Sequence, residues 1–118
     1  MVLSLEQIIQ ICNAKSVIGE NLVNTINLKE TQIHHLLYDS RRLNFTDNTI
    51  FFAFKTADND GHKYIKELYN KGIRFFICQQ IPDSNKFPNA DFLLVNNTLD
   101  ALQQIAKYKR KKKKKEVV

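Results

Sequence analysis

The chain has 118 residues, of which 43% are apolar and 25% charged, and this is the composition of one globular domain. It has no apolar run near the roughly 20 residues of a membrane-spanning helix, no secretion signal, and only two cysteines, which together predict a cytoplasmic protein. The net charge is +6, but positions 107–116 hold eight of the 18 basic residues, and the rest of the chain is near neutral. A basic nucleic-acid-binding surface on the folded domain is therefore not expected.

The N-terminal residues predict a helix with a defined start and stop. Ser4 is followed three residues later by Gln7, which is the spacing of a capping box. Apolar residues then recur on one helical face as far as Cys12, and the pattern stops at Asn13. These features predict a first helix over roughly 4–12.

Four apolar segments, rich in β-branched and aromatic residues, predict the strands of a sheet. The run TIFFAFK is apolar at nearly every position, which is typical of a strand buried on both faces. The predicted strands are 33–38, 49–55, 73–78 and 92–95, and weaker patterns at 17–18 and 23–28 indicate short strands or loops.

Two further helices complete the pattern. One is predicted over 62–71, with Gly72 at the position where glycine commonly ends a helix, and the other begins near Thr98. The order strand, helix, strand, strand, helix predicts a small α/β sandwich with a mixed sheet and flanking helices. The predicted domain covers 1–108, and the lysine-rich segment 109–118 is predicted to be a disordered tail or a frayed helix end.

Polar side chains follow two of the predicted strands. The turn from Lys55 to His62 and the turn from Asp39 to Arg42 both come directly after a strand, and ligands in α/β folds bind at the carboxyl ends of strands. If the two strands are neighbours, these turns form one rim of hydroxyl, guanidinium, ammonium and imidazole groups suited to a phosphorylated or nucleotide ligand. The alternative is that both are solvated turns with capping residues.

Other chemistries find little support in the sequence. The segment from Thr56 to Glu67 matches the spacing of an EF-hand calcium loop except at its first position, but a strand precedes it where a helix is required. The adjacent His34 and His35 would point to opposite faces of a strand, which disfavours a shared metal. The chain contains no GxxxxGK[ST] loop for ATP phosphates and no catalytic constellation, so no metal site and no catalytic residue are predicted.

Four motifs nevertheless occur in a familiar order. They are YDSRR at 38–42, TIFFAFK at 49–55, DGHKYI at 60–65 and GIRFFI at 72–77. Over roughly residues 1–108 this ordered set resembles the N-terminal domain of the Mur ligases, ATP-dependent enzymes that build the peptide stem of peptidoglycan precursors. Within the family, the chain is most similar to the ligases that add D-alanyl-D-alanine, especially the form fused to an alanine racemase. The ligase that adds the third stem residue is the alternative.

The resemblance implies that the domain binds the UDP part of a UDP-N-acetylmuramoyl-peptide. By position in the motifs, the DSR turn would approach the sugar diphosphate, the next turn would line the uracil, and the DGH residues would shape that turn and start the helix. Many relatives have glycine at position 56, where this chain has threonine. The implied substrate-binding residues are Ser40, Arg41, Lys55, Thr56, Ala57, Asp58, Asn59, Asp60, Gly61 and His62.

The resemblance also implies what this chain would not do alone. Relatives continue into a TGTNGKT-type ATP loop and two more domains, which this sequence lacks. We therefore expect no ligation by the isolated chain and no cofactor in it, since ATP and Mg²⁺ would belong to the central domain. No membrane or specific nucleic-acid partner is expected. The alternative is a stand-alone module whose basic tail binds nucleic acid or an anionic membrane.

Overall fold

The computed structural model describes residues 2–18 and 29–116 and has a mixed five-stranded sheet at its centre. The sheet order is β2-β7-β6-β5-β4, in which β4 to β7 are parallel and β2 is an antiparallel edge strand, while β1 and β3 form a separate antiparallel pair. The predicted fold class is confirmed. The strands are β1 (Leu3–Ser4), β2 (Lys15–Ile18), β3 (Gln32–Ile33), β4 (His35–Leu37), β5 (Thr49–Phe52), β6 (Phe75–Cys78) and β7 (Asp91–Leu94). The helices are α1 (Leu5–Cys12), α2 (Ile65–Lys71) and α3 (Thr98–Glu116).

Helices cover both faces of this sheet, which creates two buried clusters. Ile50 and Phe52 of β5 pack in one cluster with residues of α1 and α3, whereas Phe51 packs in the other with residues of α2. The alternation confirms the predicted two-sided burial of this strand. Phenylalanine rings fill the α2 side, where Phe76 and Phe92 stack with centroids 5.4 Å apart.

Helix α1 begins and ends where the sequence predicts. The Gln7 N–H donates to Ser4 Oγ (3.1 Å) and the Ser4 N–H donates to Gln7 Oε1 (2.9 Å), which is a complete capping box. Asn13 ends the helix with a left-handed backbone (φ 52°), a conformation that asparagine tolerates better than most residues.

Substituting Ser4→Ala should therefore destabilise the fold. The change leaves the Gln7 N–H without its acceptor and is expected to lower the free energy of unfolding by about 1 kcal/mol. Urea unfolding followed by circular dichroism measures this loss. Ser4→Thr keeps the accepting oxygen and should stay close to the unsubstituted chain, so equal losses in both variants would contradict a capping role.

The predicted strand over 33–38 is interrupted. Ile33 pairs with β1 and His35 pairs with β5, so the segment contributes to two sheets with His34 between them. The N–H groups of His34 and His35 both donate to the carbonyl of Asn48 (2.8 and 3.2 Å), which fixes the break. The sequence pattern alone does not reveal this change of partner.

The helix predicted over 62–71 is divided into a 3-10 turn over Gly61–Tyr64 and α2 from Ile65. It ends at Gly72 as predicted, with φ 117°, a backbone angle that side-chain-bearing residues avoid. The pattern at 17–18 belongs to β2, whereas that at 23–28 lies outside the described residues.

Helix α3 continues through the lysine tract to Glu116, where the sequence predicts a disordered tail or a frayed helix end. Lysine and arginine favour helix, and the first half of α3 is anchored through the buried Ala101 and Ile105, so the helix extends from a packed start. No described helix is both long and apolar enough to cross a bilayer.

Three titratable groups whose pKa values are raised lie away from the polar turns. Burial raises the pKa of the free thiols of Cys12 and Cys78 to about 12, and the charge of Asp100 adds to the effect at Cys12. Asp91, at the start of β7, is 1% exposed, and its carboxylate oxygens have no hydrogen-bond partner among the described residues. Burial raises the pKa of Asp91 to about 6.

Candidate functional site

A cleft of about 920 Å³ opens beside the carboxyl ends of β4 and β5. Because these strands are parallel neighbours, the turns that follow them meet at one edge of the sheet, as the sequence analysis requires for a shared site. The cleft is lined by Tyr38, Asp39, Ser40, Arg41, Arg42, Phe51, Phe52, Phe54, Thr56, Asn59, Gly61, Tyr64 and Glu67.

An aspartate caps a 3-10 turn on each side of this cleft. Asp39 Oδ1 accepts from the Arg41 N–H and Asp60 Oδ1 accepts from the His62 N–H, both at 3.0 Å. The side chain of Arg41 chiefly lowers the pKa of Asp39, and the backbone N–H of His62 chiefly lowers that of Asp60. Both carboxylates are therefore ionised at neutral pH.

Two arginines stand at the mouth of the cleft. Arg41 forms a bidentate pair with Asp39 (Nε–Oδ1 3.1 Å, Nη2–Oδ2 3.0 Å), and Arg42 Nε lies 3.8 Å from Asp39 Oδ2. Their side chains are 88% and 82% exposed, respectively. One carboxylate thus orients two guanidinium groups whose remaining donors face solvent, an arrangement that can receive an anionic ligand.

The opposite wall is a closed turn between Lys55 and Asp60, which form an isolated β-bridge. The Thr56 N–H donates to the Asn59 carbonyl (2.7 Å), and the Thr56 hydroxyl donates to the same carbonyl and accepts from the Asn59 N–H, both at 3.1 Å. Thr56 has no left-handed backbone angle. Threonine therefore fits this position without backbone strain, and its hydroxyl closes the turn.

Gly61 lies where this turn meets the end of β5. A Cβ atom at this position would lie 2.8 Å from the Phe54 nitrogen and 2.9 Å from the Phe54 oxygen, closer than real Cβ atoms approach backbone. The Gly61 N–H also donates to that oxygen. Only glycine allows this contact between the two backbones.

His62 is held inside the protein and does not line the cleft. Its side chain is 12% exposed, Nδ1 lies 2.6 Å from Asp60 Oδ1, and Nε2 accepts from the N–H groups of Gln79 (3.0 Å) and Gln80 (3.3 Å). Both ring nitrogens are already bonded, so the imidazole is not the free donor that the polar rim predicts.

The structure divides the ten predicted site residues into two groups. Five line the cleft, namely Ser40, Arg41, Thr56, Asn59 and Gly61. The other five lie in the turn without lining it, namely Lys55, Ala57, Asp58, Asp60 and His62.

The aromatic part of the cleft was not predicted from the sequence. Tyr38 is 56% exposed, its ring centroid lies 6.3 Å from that of Phe54, and Tyr64 completes this lining with Arg42 nearby. Their positions in the sequence could have identified these residues. Tyr38 directly precedes the first polar turn, and Phe54 directly follows the buried part of the apolar strand.

The described residues contain no group of three or more His, Cys, Asp or Glu side chains that could hold a metal ion. His34 and His35 are exposed, and the His35 ring stacks on Phe45 with centroids 4.6 Å apart. They lie at the start of β4, opposite the end that carries the cleft.

Comparison with known proteins decides the family. A model described as Mur ligase family, catalytic domain, matches residues 32–110, which include both polar turns. The chain belongs to the Mur ligase family. The resemblance inferred from the motifs is thereby confirmed.

Curated members of the Mur ligase family include two types of similar enzyme. The UDP-N-acetylmuramoyl-tripeptide–D-alanyl-D-alanine ligase of Haemophilus influenzae is 31% identical over 110 residues, which are 93% of this chain and 21% of that protein. The UDP-N-acetylmuramoyl-L-alanyl-D-glutamate–2,6-diaminopimelate ligase of Phocaeicola vulgatus is 29% identical over 104 residues, 88% of this chain and 19% of that protein. The chain thus spans about a fifth of the length of these relatives.

A solved Mur ligase shares the fold. A crystal structure of MurF from Acinetobacter baumannii superposes with a TM-score of 0.72 at 22% identity, covering 95% of this chain and 22% of that protein. At this identity the likeness supports the architecture of the sheet and helices.

Proposed function

We propose that this chain is a substrate-recognition domain that binds the UDP part of a UDP-N-acetylmuramoyl-peptide in the cleft between the Asp39–Arg42 and Thr56–Gly61 turns. The observation that carries the proposal is the pair of exposed guanidinium groups beside an aromatic lining, at the carboxyl ends of two parallel strands in a Mur ligase fold. The proposal goes beyond the family assignment, which identifies relatives but leaves the ligand and its position open.

The arginines suit the diphosphate. Arg41 already makes a bidentate pair with a planar carboxylate, and a phosphate group offers similar acceptor geometry with more charge. The Ser40 hydroxyl lies on the same rim and can donate to a phosphate or sugar oxygen. Asp39 pairs with both arginines and so keeps their guanidinium groups together.

The aromatic lining and the closed turn suit the uracil ring. Tyr38 and Phe54 provide apolar ring surface, and Asn59 provides an amide that can both donate and accept. A pyrimidine ring has two flat apolar faces and polar groups at its edge. The aromatic side chains therefore match its faces, and the amide matches its edge. A cleft of about 920 Å³ is large enough for a nucleotide sugar.

We propose that the chain contributes precursor binding and not the ligation itself. No ATP or Mg²⁺ site is proposed in this chain, because its sequence has no phosphate loop of the GxxxxGK[ST] type. The proposed parent activity is the addition of D-alanyl-D-alanine, with the diaminopimelate step as the alternative represented among its relatives. A cytoplasmic location and the absence of membrane and specific nucleic-acid partners remain predictions, as does the alanine racemase fusion.

Substituting Arg41→Ala should weaken binding of UDP-N-acetylmuramic acid about tenfold or more, since hydrogen bonds to a charged group contribute roughly 1.5–3 kcal/mol. A ¹H–¹⁵N NMR titration measures the affinity, because it detects millimolar binding. In the unsubstituted chain we expect shifts at Ser40, Arg41 and Thr56–Gly61 with the UDP-sugar and with UDP, and none with ATP at the same concentration.

The matched control is Lys86→Ala, which removes one positive charge from an exposed loop outside the cleft. It should leave the affinity unchanged within about twofold. A chain that folds but shows no shifts with millimolar UDP-sugar, or equal weakening by both substitutions, would contradict the proposed site. Removing 109–118 should leave UDP-sugar binding intact, whereas loss of that binding would favour the basic segment as the binding element.

A further inference from the structure

We propose that His62 is a positioning residue, which fixes one wall of the cleft by joining the Thr56–Gly61 turn to the end of β6 and, through Gln79, to the start of α3. We call the ring hydrogen bonds to Asp60, Gln79 and Gln80 the His62 link. The link itself is argued from geometry alone, and its effect on ligand binding rests on the proposed function.

The hydrogen bonds assign the proton of the imidazole. Nε2 accepts from two backbone N–H groups, at 3.0 Å from Gln79 and 3.3 Å from Gln80, so it carries no proton in this arrangement. The ring proton therefore lies on Nδ1 and is donated to Asp60 Oδ1 at 2.6 Å. A neutral imidazole of this tautomer satisfies every contact, and none of its donors is left for a ligand.

On one side, the His62 link reaches the wall of the cleft. Asp60 Oδ1 accepts from the backbone and from the ring of His62, and Asp60 also forms the β-bridge with Lys55 that closes the turn. The position of Asp60 thus determines where Thr56 and Asn59 stand. These two residues line the cleft although His62 does not.

On the other side, the His62 link reaches helix α3. The Gln79 side chain accepts from the N–H of Thr98 at 3.0 Å, and this N–H belongs to the first residue of α3. Helix N-termini leave their first N–H groups without helical partners, so Gln79 supplies an acceptor that the helix itself lacks. The segments after β5, β6 and β7 are thereby joined by His62 and Gln79.

A matched pair of substitutions separates the two halves of the ring. In His62→Gln the side-chain amide reaches about as far as Nε2, so it can still accept from the Gln79 and Gln80 N–H groups. In His62→Asn the amide reaches only about as far as Nδ1, so it can donate to Asp60 but not reach β6. The control is His34→Asn, which changes an exposed histidine at the opposite end of the sheet.

The first measurement is amide hydrogen exchange without ligand. We expect His62→Asn, which removes the acceptor of the Gln79 and Gln80 N–H groups, to speed exchange at these two amides about tenfold. His62→Gln keeps that acceptor and should change their exchange less than threefold, but it loses the bond to Asp60 and should speed exchange about tenfold at Thr56. The β7 amide of Phe92 serves as an internal reference, since a general loss of stability would speed its exchange equally. Unchanged exchange at Gln79 and Gln80 in His62→Asn, unchanged exchange at Thr56 in His62→Gln, or equal acceleration at Phe92 in either variant would overturn the proposal.

The second measurement is the affinity for UDP-N-acetylmuramic acid by NMR titration. We expect His62→Asn and His62→Gln, each of which breaks one side of the His62 link, to bind about tenfold more weakly than the unsubstituted chain, and His34→Asn to bind within about threefold of it. Affinities of both His62 variants within about threefold of the unsubstituted chain would overturn the positioning effect on the ligand. If the unsubstituted chain binds no UDP-sugar, the proposed function fails, while the exchange measurement still decides the His62 link.

Discussion

Substituting Gly61→Ala is expected to lower the free energy of unfolding by about 2–4 kcal/mol and to abolish ligand binding in the cleft. The added Cβ would lie within 2.9 Å of two backbone atoms of Phe54, and backbone, unlike a flexible side chain, does not move aside cheaply. Either β5 or the turn must shift, and the turn carries Thr56 and Asn59. Urea unfolding and the UDP-sugar titration measure the two effects.

The control for this substitution is Asp58→Ala, at an exposed position of the same turn that does not line the cleft. It should change stability by no more than about 0.5 kcal/mol. A Gly61→Ala variant with unchanged unfolding and unchanged affinity would show that the close contact with Phe54 is not needed.

The second large expected effect is a dependence of the free energy of unfolding on pH. Asp91 has a folded-state pKa of about 6 against a usual value of 3.8, so its ionisation disfavours the folded state. Ionisation of Asp91 thus lowers the stability of the fold, whereas ionisation of a salt-bridged aspartate raises it. Below about pH 3 the carboxyl is protonated in both states and has no effect, and the loss of stability grows as the pH rises from there, to about 3 kcal/mol above pH 6.

Substituting Asp91→Asn should therefore stabilise the chain by about 1–3 kcal/mol at pH 7.5 and have little effect or destabilise at pH 4, since a buried amide without partners also has a desolvation cost. Urea unfolding at both pH values tests this. Asp58→Asn, at an exposed carboxylate, is the matched control and should show no such pH-dependent difference. The same stability difference at both pH values for Asp91→Asn would contradict the burial effect.

Features decided by neighbouring residues were predictable from the sequence. The capping box at Ser4, the helix end at Gly72 and the two-sided burial of β5 each depend on a few adjacent residues, and each is confirmed. The two polar turns were also located, because they follow apolar runs. The sequence therefore predicted at which edge of the sheet the candidate site lies.

Features decided by distant pairing were not predictable. The break at His34 depends on the Asn48 carbonyl and on two different partner strands, and the antiparallel edge of the sheet depends on β2 meeting β7. The bonding of His62 likewise depends on the register of β6, which brings the Gln79 and Gln80 N–H groups to the ring. Without knowledge of those partners, the sequence predicts that a histidine in a polar turn donates to a ligand.

The raised pKa values of the two thiols, one half-buried and one buried, have a practical consequence for optical studies of the cleft. Thiol-reactive dyes attack the thiolate, and with pKa values of about 12 both Cys12 and Cys78 are almost entirely protonated at neutral pH. A single cysteine introduced in place of the exposed Asp58 would be open to solvent and is expected to react first. The native chain is thus a ready background for one-site fluorescent labelling beside the cleft, with no need to replace its own cysteines.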